Sequence, residues 1–364
     1  EDIYGIGFKT ADNIANKMGI SNNSPYRIEA GLKFVIMDFA GDGHCYVPKE
    51  ELILKASQLL NVEVELLEDS IRELALKNSF YILNTGEEIN IYYAPYHIAE
   101  NNVAKKVVEL SRVEFDELSV DADKEIRKFE ERNNILFGNK QKMAIKESLE
   151  NGFLIITGGP GTGKTTTINA IINICENLGL QVVLAAPTGR AAKRMTETTG
   201  KEAKTIHRLL EISFIEEETG FNKDEDSPIE ADVIIIDEAS MIDILLMNSL
   251  VKAIAPGTRV ILVGDIDQLP SVGPGNVLKD IINSGTIKVV MLDEIFRQAE
   301  ESMIIVNAHR VNNGNRPILN ERDKDFFFIK ARTPNEIVKT LIDLNKNRLP
   351  RFYNVDPVQD IQVL

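Results

Sequence analysis

The hydrophobic pattern changes period along the chain, and each change predicts a different kind of element. In "IYGIGFKTADNIANKMGI" the residues Ala11, Ile14, Ala15 and Met18 recur at helical spacing, which predicts a helix from about Lys9 to Met18 stopped by Gly19. Between residues 25 and 96 the spacing predicts three helices, Arg27 to Phe39, Lys49 to Leu60 and Leu66 to Asn78. "YILNTGEEINIYY" then alternates on both sides of Asn84-Thr85-Gly86, a hairpin signal. Three helices followed by a hairpin is the order of a winged helix, and its mixed charge fits a spacer as well as a duplex reader. Residues 97–133 read as a polar helical connector with no Pro or Gly to break it.

After Asn134 the period shifts again. "KQKMAIKESLEN" is helical, and "FLIIT", "QVVLAAP", "ADVIIID" and "TRVILVGD" are short apolar runs separated by loops or helices. Strands apolar on every position, alternating with helices, imply a parallel sheet covered on both faces. "SFIEEETGFNKDEDSPIE" interrupts the alternation and reads as an acidic, solvated loop.

Composition narrows the class. The chain has 364 residues, 43% hydrophobic and 27% charged, enough for two or three cores. No apolar run approaches the ~20 residues of a membrane span, and the first residues lack a signal-peptide pattern. The expected compartment is the cytoplasm. Two cysteines, Cys45 and Cys175, are too few for a zinc site or a disulfide framework and read as small apolar residues in a reducing compartment. A net charge of −15 argues against a protein held on nucleic acid by bulk charge. Any nucleic-acid site must therefore be a local groove. The chain does not begin with Met, so a piece of a longer protein is expected.

Chemistry concentrates in three stretches. "GGPGTGKTT" completes G-x-x-x-x-G-K-[ST] with Gly158, Gly163, Lys164 and Thr165, between a strand and a helix. Gly158, Gly159, Pro160, Gly161, Thr162, Gly163, Lys164, Thr165 and Thr166 form the candidate phosphate cradle for ATP. Lys164 would supply charge, and Thr165 a hydroxyl for Mg²⁺. In "VIIIDEAS", Asp237 is placed to hold Mg²⁺ through its water shell and Glu238 to polarise the attacking water. In "ILVGDIDQLPSVGPG", Gln268 follows a strand end on the same edge of the sheet, where ligands sit. It reads as a γ-phosphate sensor, or else as an amide bonded to its own loop. Gly5 and Gly7, ahead of the first helix, leave backbone N–H groups free for a phosphate or simply form a capped turn.

The ordered set "GGPGTGKTT", "AAPTGRAAKRM", "TIHRLL", "IIIDEASMID", "VGDIDQLPSVGPG" and "LDEIFRQ" resembles the motifs of superfamily 1 helicases, within them the RecD-type, 5′→3′ DNA helicases. The resemblance spans residues 134 to about 315, and the N-terminal part is similar to the long RecD-like proteins with a helix-hairpin-helix region. It implies an α/β fold: a P-loop RecA-like parallel-sheet domain (134–289) and part of a second RecA-like domain (290–364). Ahead of them would lie a helix-hairpin-helix remnant (1–24), a winged-helix-like domain (25–96) and the connector (97–133). It also implies that Gln141 reads adenine, and that Pro187, Thr188, Gly189, Arg190, Thr205 and His207 touch single-stranded DNA. Arg297 would reach the γ-phosphate. His207 alone would read as a satisfied loop histidine.

The family's last two motifs have no match here, and the chain ends at "DIQVL", which reads as a strand. This stretch alone is therefore expected to bind nucleotide without unwinding. The expected partners are single-stranded DNA and single/double-strand junctions. A superfamily 1 RNA helicase, or a nucleotide-gated binding module whose ATPase is only a switch, remain alternatives.

Overall fold

The structure is a computed structural model that describes residues 6–86, 88–115, 121–215, 218–294, 301–319, 321 and 324–363. The chain divides into two compact units, Glu1–Phe296 and Arg297–Leu364.

The first unit opens with α1 (Phe8–Lys17), then α2 (Pro25–Gly41), strand β1 (Tyr46–Pro48), α3 (Lys49–Leu60) and α4 (Val64–Leu76). Strands β2 (Phe80–Asn84) and β3 (Ile89–Tyr93) form the expected hairpin, and β1 adds antiparallel to β3 to give the order β1-β3-β2. The short β1 is what the helical spacing alone does not show. Ile28, Leu32, Ile36, Leu52, Leu67, Leu74 and Ile91 close one core, and Phe8 of α1 is buried in it, stacked on Phe34 at 5.1 Å. The first helix is thus part of the small module's packing.

A charged clamp reinforces that contact. Arg27 Nε donates to Asp12 Oδ1 at 2.5 Å and its Nη2 to Asp12 Oδ2 at 3.0 Å, with side chains only 7% and 16% exposed. The same guanidinium donates to Leu60 O at 3.0 Å. Arg27→Ala strands a half-buried carboxylate and a helix-end carbonyl together. It is expected to cost about 2–4 kcal/mol, read as a lower urea midpoint at unchanged slope; a shift under ~0.5 kcal/mol would mean the clamp is idle.

The chain continues through α5 (Ala94–Ser111) and α6 (Ala122–Asn133) to α7 (Asn139–Glu150). A doubly wound sheet follows: β4 (Phe153–Gly158), α8 (Lys164–Asn177), β5 (Val182–Ala186), α9 (Gly189–Thr199), β6 (Ala203–Thr205), then the one-turn α10 (Ile206–Leu209). Strands β7 (Ile212–Ile215) and β8 (Glu218–Phe221) pair antiparallel outside the sheet. The acidic insertion is thus partly a hairpin, with Ile212 and Phe221 paired across it and the acidic run Asp224–Asp226 following it. Then come β9 (Val233–Ile236), α11 (Ile244–Lys252), β10 (Arg259–Gly264), α12 (Val277–Asn283) and β11 (Lys288–Leu292).

The large sheet is parallel throughout, in the order β11-β4-β10-β9-β5-β6. Its strands alternate between two cores. Phe153, Ile155, Ile234 and Leu262 join the side of α5 and α11. Leu154, Ile156, Ile235 and Ile261 join the side of α7 and α8. Burial on both faces is why these runs are apolar at every position. Val290, expected to open the second domain, lies inside β11, which pairs with β4 and seals this sheet. The boundary therefore falls after the strand.

In the second unit, α13 (Met303–Asn312) is capped by Asp325, whose carboxylate accepts from Ser302 Oγ at 2.5 Å and Met303 N at 2.7 Å. A further helix, α14, spans Pro334–Asp343. The expected strand at "DIQVL" does not form in residues 360–363. A strand needs a hydrogen-bonded neighbour, and among the described residues of this unit there is none. Among the described residues no helix is long and apolar enough to cross a membrane.

Candidate functional site

The candidate nucleotide site is built at the carboxyl edge of the sheet. β4 ends at Gly158 and α8 starts at Lys164, and between them Gly161 and Gly163 take φ of 77° and 78°. The first-turn N–H groups of α8 have no partner within the helix and face the loop, which favours an anion. Thr162, 2% exposed, braces the loop by donating to Gly159 O at 2.9 Å. Gly158 has a second reason to be glycine. A Cβ there would lie 2.5 Å from Leu292 O at the end of β11.

Lys164 Nζ donates to Gly158 O at 2.6 Å and Gly159 O at 3.0 Å, so the cation lies along the loop. Burial lowers its pKa, while Asp265, Asp237 and Glu238 pull it back up. Asp237 follows β9; its N–H donates to Ala185 O at 3.0 Å, and its Oδ1 accepts the Glu238 N–H at 2.9 Å. Burial raises the Asp237 carboxyl. Burial, then the neighbouring Asp237, raise that of Glu238, whose backbone is left-handed at φ 53°. A non-glycine residue in that region is strained, a pattern common at working sites. One carboxylate and one hydroxyl beside triphosphate oxygens suit Mg²⁺, which keeps several waters. The residues present fit that ion through Thr165 and Asp237.

Gln141 is buried at the start of α7. Its Oε1 accepts from Gly138 N at 3.0 Å, and its Nε2 donates to Gly163 O and Thr167 Oγ1, each at 3.2 Å. It braces the phosphate loop from behind, and reading a base would require exchanging these bonds. Gln268 is exposed, and among the described residues its side chain has no hydrogen-bond partner; its N–H donates to Asp265 O at 3.2 Å. The alternative of an amide bonded into its own loop therefore does not describe the structure.

Thr188 and Thr205 are helix caps. Their Oγ1 atoms accept from Ala191 N at 3.2 Å and Arg208 N at 3.1 Å, which leaves each hydroxyl proton free to donate outward. Pro187 precedes the first cap, and Gly189 and exposed Arg190 open α9. The ring of His207, also exposed, lies 6.0 Å from that of Phe221 on β8. These residues lie at or just past the carboxyl ends of adjacent strands β5 and β6. Gly7 is the exposed N-cap of α1. Gly5 and Arg297 fall outside the described residues, so the motif alone speaks for them. Arg194 is absent from the sequence-based set, yet its charge acts on Lys164, Asp237 and Glu238 together. The available signal was its spacing, one helical turn after Arg190 on α9.

Comparison with known proteins fits this geometry. A family model described as an AAA domain matches residues 141–274, and one described as the HHH domain of the ATP-dependent RecD2 DNA helicase matches residues 1–46. The ATP-dependent RecD2 DNA helicase of Deinococcus radiodurans is 33% identical over 328 residues, 87% of this chain and 44% of its own. The RecBCD enzyme subunit RecD of Haemophilus influenzae is 37% identical over 165 residues, 39% of this chain and 26% of its own. The chain belongs to the RecD2/RecD helicase family.

It spans less than half the length of these two RecD2 and RecD relatives. A crystal structure of Pif1 helicase from Candida albicans is 23% identical, with a TM-score of 0.38 over 58% of this chain and 55% of that one. The match to the AAA domain runs from Gln141 to Pro274, from the glutamine behind the phosphate loop to the loop that carries Gln268. The RecD2 HHH match extends beyond residue 24 into α2 and β1, in keeping with Phe8 and Arg27 joining these elements in one core.

Proposed function

We propose that the protein hydrolyses ATP with Mg²⁺ and uses the cycle to move 5′→3′ along single-stranded DNA, as a RecD-type helicase. The observation that carries the chemistry is the gathering of Lys164, Asp237, Glu238 and Asp265 at one edge of the sheet, close enough that the three carboxylates act on Lys164. The triphosphate would lie on the N–H groups of the loop and of α8, with Lys164 swinging from Gly158 O and Gly159 O to its β- and γ-oxygens. Mg²⁺, held by Thr165 and through water by Asp237, would neutralise charge on the phosphates. Glu238 would orient and deprotonate the attacking water. Loss of the γ-phosphate would remove the partner of Gln268 and release its loop.

DNA is proposed to run past Pro187, Thr188, Gly189, Arg190, Thr205 and His207, where hydroxyls, backbone and cations suit phosphate contacts. The direction rests on the likeness to proteins named RecD. The deciding experiment is nucleotide hydrolysis by the full-length protein with single-stranded DNA, with RNA of the same sequence, or with neither. Stimulation by DNA alone supports the reading. Equal stimulation by RNA would favour the RNA motor, and none would favour a switch.

Gln268→Ala supplies a sharper test. The variant should still bind ATP and DNA, but the change in DNA affinity when ATP replaces ADP should shrink by ~1–3 kcal/mol, the usual size of such coupling. If that difference is intact, the loop senses nothing.

A further inference from the structure

The loop that carries Gln268 is anchored at both ends, in two different parts of the fold. Upstream, Ile266 N donates to Thr157 Oγ1 at 3.2 Å, which ties the loop to the strand that enters the phosphate loop. Downstream, Ser271 Oγ lies 3.0 Å from both Gly273 O and Gly275 O and can donate to either. Pro274 O accepts from Ile244 N at 2.9 Å, and Gly275 N donates to Gly43 O at 3.0 Å. Gly43 belongs to the turn between α2 and β1 of the small module.

Gly275 is the point of closest approach. Its φ is 96°, and a Cβ there would lie 3.2 Å from Cys45 Sγ and 3.2 Å from Ile244 Cβ. Cys45 is buried in a core that also holds Tyr92 of the small module and Ile244, Val277 and Leu278 of the large sheet's flank. Burial, then the Glu100 carboxylate, push its thiol far above the ordinary range, so it stays neutral and acts by shape. The small module therefore touches the sensor loop directly.

We propose that the Gly43–Cys45 turn positions the Gln268 loop, so that the small module and the nucleotide site share one conformational equilibrium. This rests on Gln268 reading the γ-phosphate. A loop held at both ends cannot shift without moving an anchor. Thr157 is fully buried inside the six-stranded sheet, whereas the downstream link to the small module is one backbone hydrogen bond between two glycines beside the Cys45 contact. Movement of the loop is then passed to the Gly275–Gly43 joint, which lies between two parts of the fold rather than inside the sheet. By linkage, whatever the small module binds then alters nucleotide affinity, and the reverse.

The test is amide hydrogen exchange in the full-length protein, with ADP against a non-hydrolysable ATP analogue. Exchange should differ between nucleotides at residues 265–270 and also at residues 40–48. In Gly275→Ala the first difference should persist and the second should vanish. Because that variant is strained, Cys45→Ala, which removes the sulfur facing Gly275, is the second probe. Both variants should lose DNA-stimulated kcat by roughly two- to thirty-fold, the range for coupling residues, at unchanged Kd for ATP. A merely structural role would lower Tm and leave kcat alone. A nucleotide response at 265–270 without one at 40–48 overturns the proposal while sparing the sensor. No response at 265–270 removes both. Unchanged kcat in both variants likewise overturns it.

Discussion

Glu238→Gln in the full-length protein is expected to bind ATP normally and to hydrolyse it about 10²–10⁴-fold more slowly, the contribution of a positioned general base. The side chain sits one residue past Asp237, and the Asp237 carboxylate takes the Glu238 N–H at 2.9 Å, which fixes the turn that aims it. Burial, then Asp237, raise its carboxyl pKa, so it is a stronger base than an ordinary glutamate when ionised. The pH dependence follows with a definite sign. The base must be deprotonated, so the acid limb of kcat/KM, which reports the free enzyme, should lie above the usual glutamate range and move when Asp237 is altered. The stability effect runs the other way. A carboxyl with a raised folded pKa holds its proton longer in the native state, so native stability falls as pH rises through that value. Replacing it with Gln should therefore stabilise the nucleotide-free protein near neutral pH, by about 0.5–2 kcal/mol. Wild-type turnover in the variant would sink the assignment.

Much of this site was legible because its chemistry is local in sequence. The phosphate loop, the Asp237–Glu238 pair and the Gln268 loop each follow an apolar strand, and a parallel sheet places such loops on one edge. Gln141 shows where that legibility ends. Its motif predicts an adenine reader, but its bonds to Gly163 O and Thr167 Oγ1 depend on how α7 packs on α8, which no spacing encodes. For Arg194 the spacing after Arg190 gives only a shared helix face, and the docking of α9 decides that its charge acts on Lys164.

The fold followed the same division. Period-2 and period-3.6 patterns found the helices of the small module and the buried strands, because those patterns report one-face or two-face burial. They missed β1, three residues long, which exists only because β3 lies beside it. The boundary at Val290 came from the family resemblance, and the patterns could not correct it, because a buried edge strand and the first strand of a new sheet look alike in sequence. The joint between Gly275 and Gly43 was equally invisible, since more than two hundred residues separate two glycines that meet through a single N–H.

Lys164→Ala is the second large effect expected, on binding more than on turnover. In the structure the ammonium is held by Gly158 O and Gly159 O, within the pull of Asp265, Asp237 and Glu238. It is the one cation within the phosphate-loop motif itself, since Arg194 approaches from another helix. Removing it leaves the carboxylates facing a triphosphate with less compensation. Loss of one partner of a desolvated charge pair costs about 2–5 kcal/mol, or roughly 30- to 5,000-fold in Kd. Two comparisons separate charge from packing. Lys164→Met keeps most of the stem and should bind as poorly as Lys164→Ala if charge dominates. ADP, with one phosphate fewer for the ammonium to reach, should lose less affinity than ATP. The wild-type protein offers a third readout through pH. Because burial lowers the Lys164 pKa, ATP affinity should fall as pH rises through a range where an ordinary lysine stays charged, and binding there should take up a proton. In Lys164→Met that limb should vanish. Tight ATP binding by both variants, with the alkaline limb intact, would place the phosphate-binding charge elsewhere, and Arg194 would be the first residue to replace.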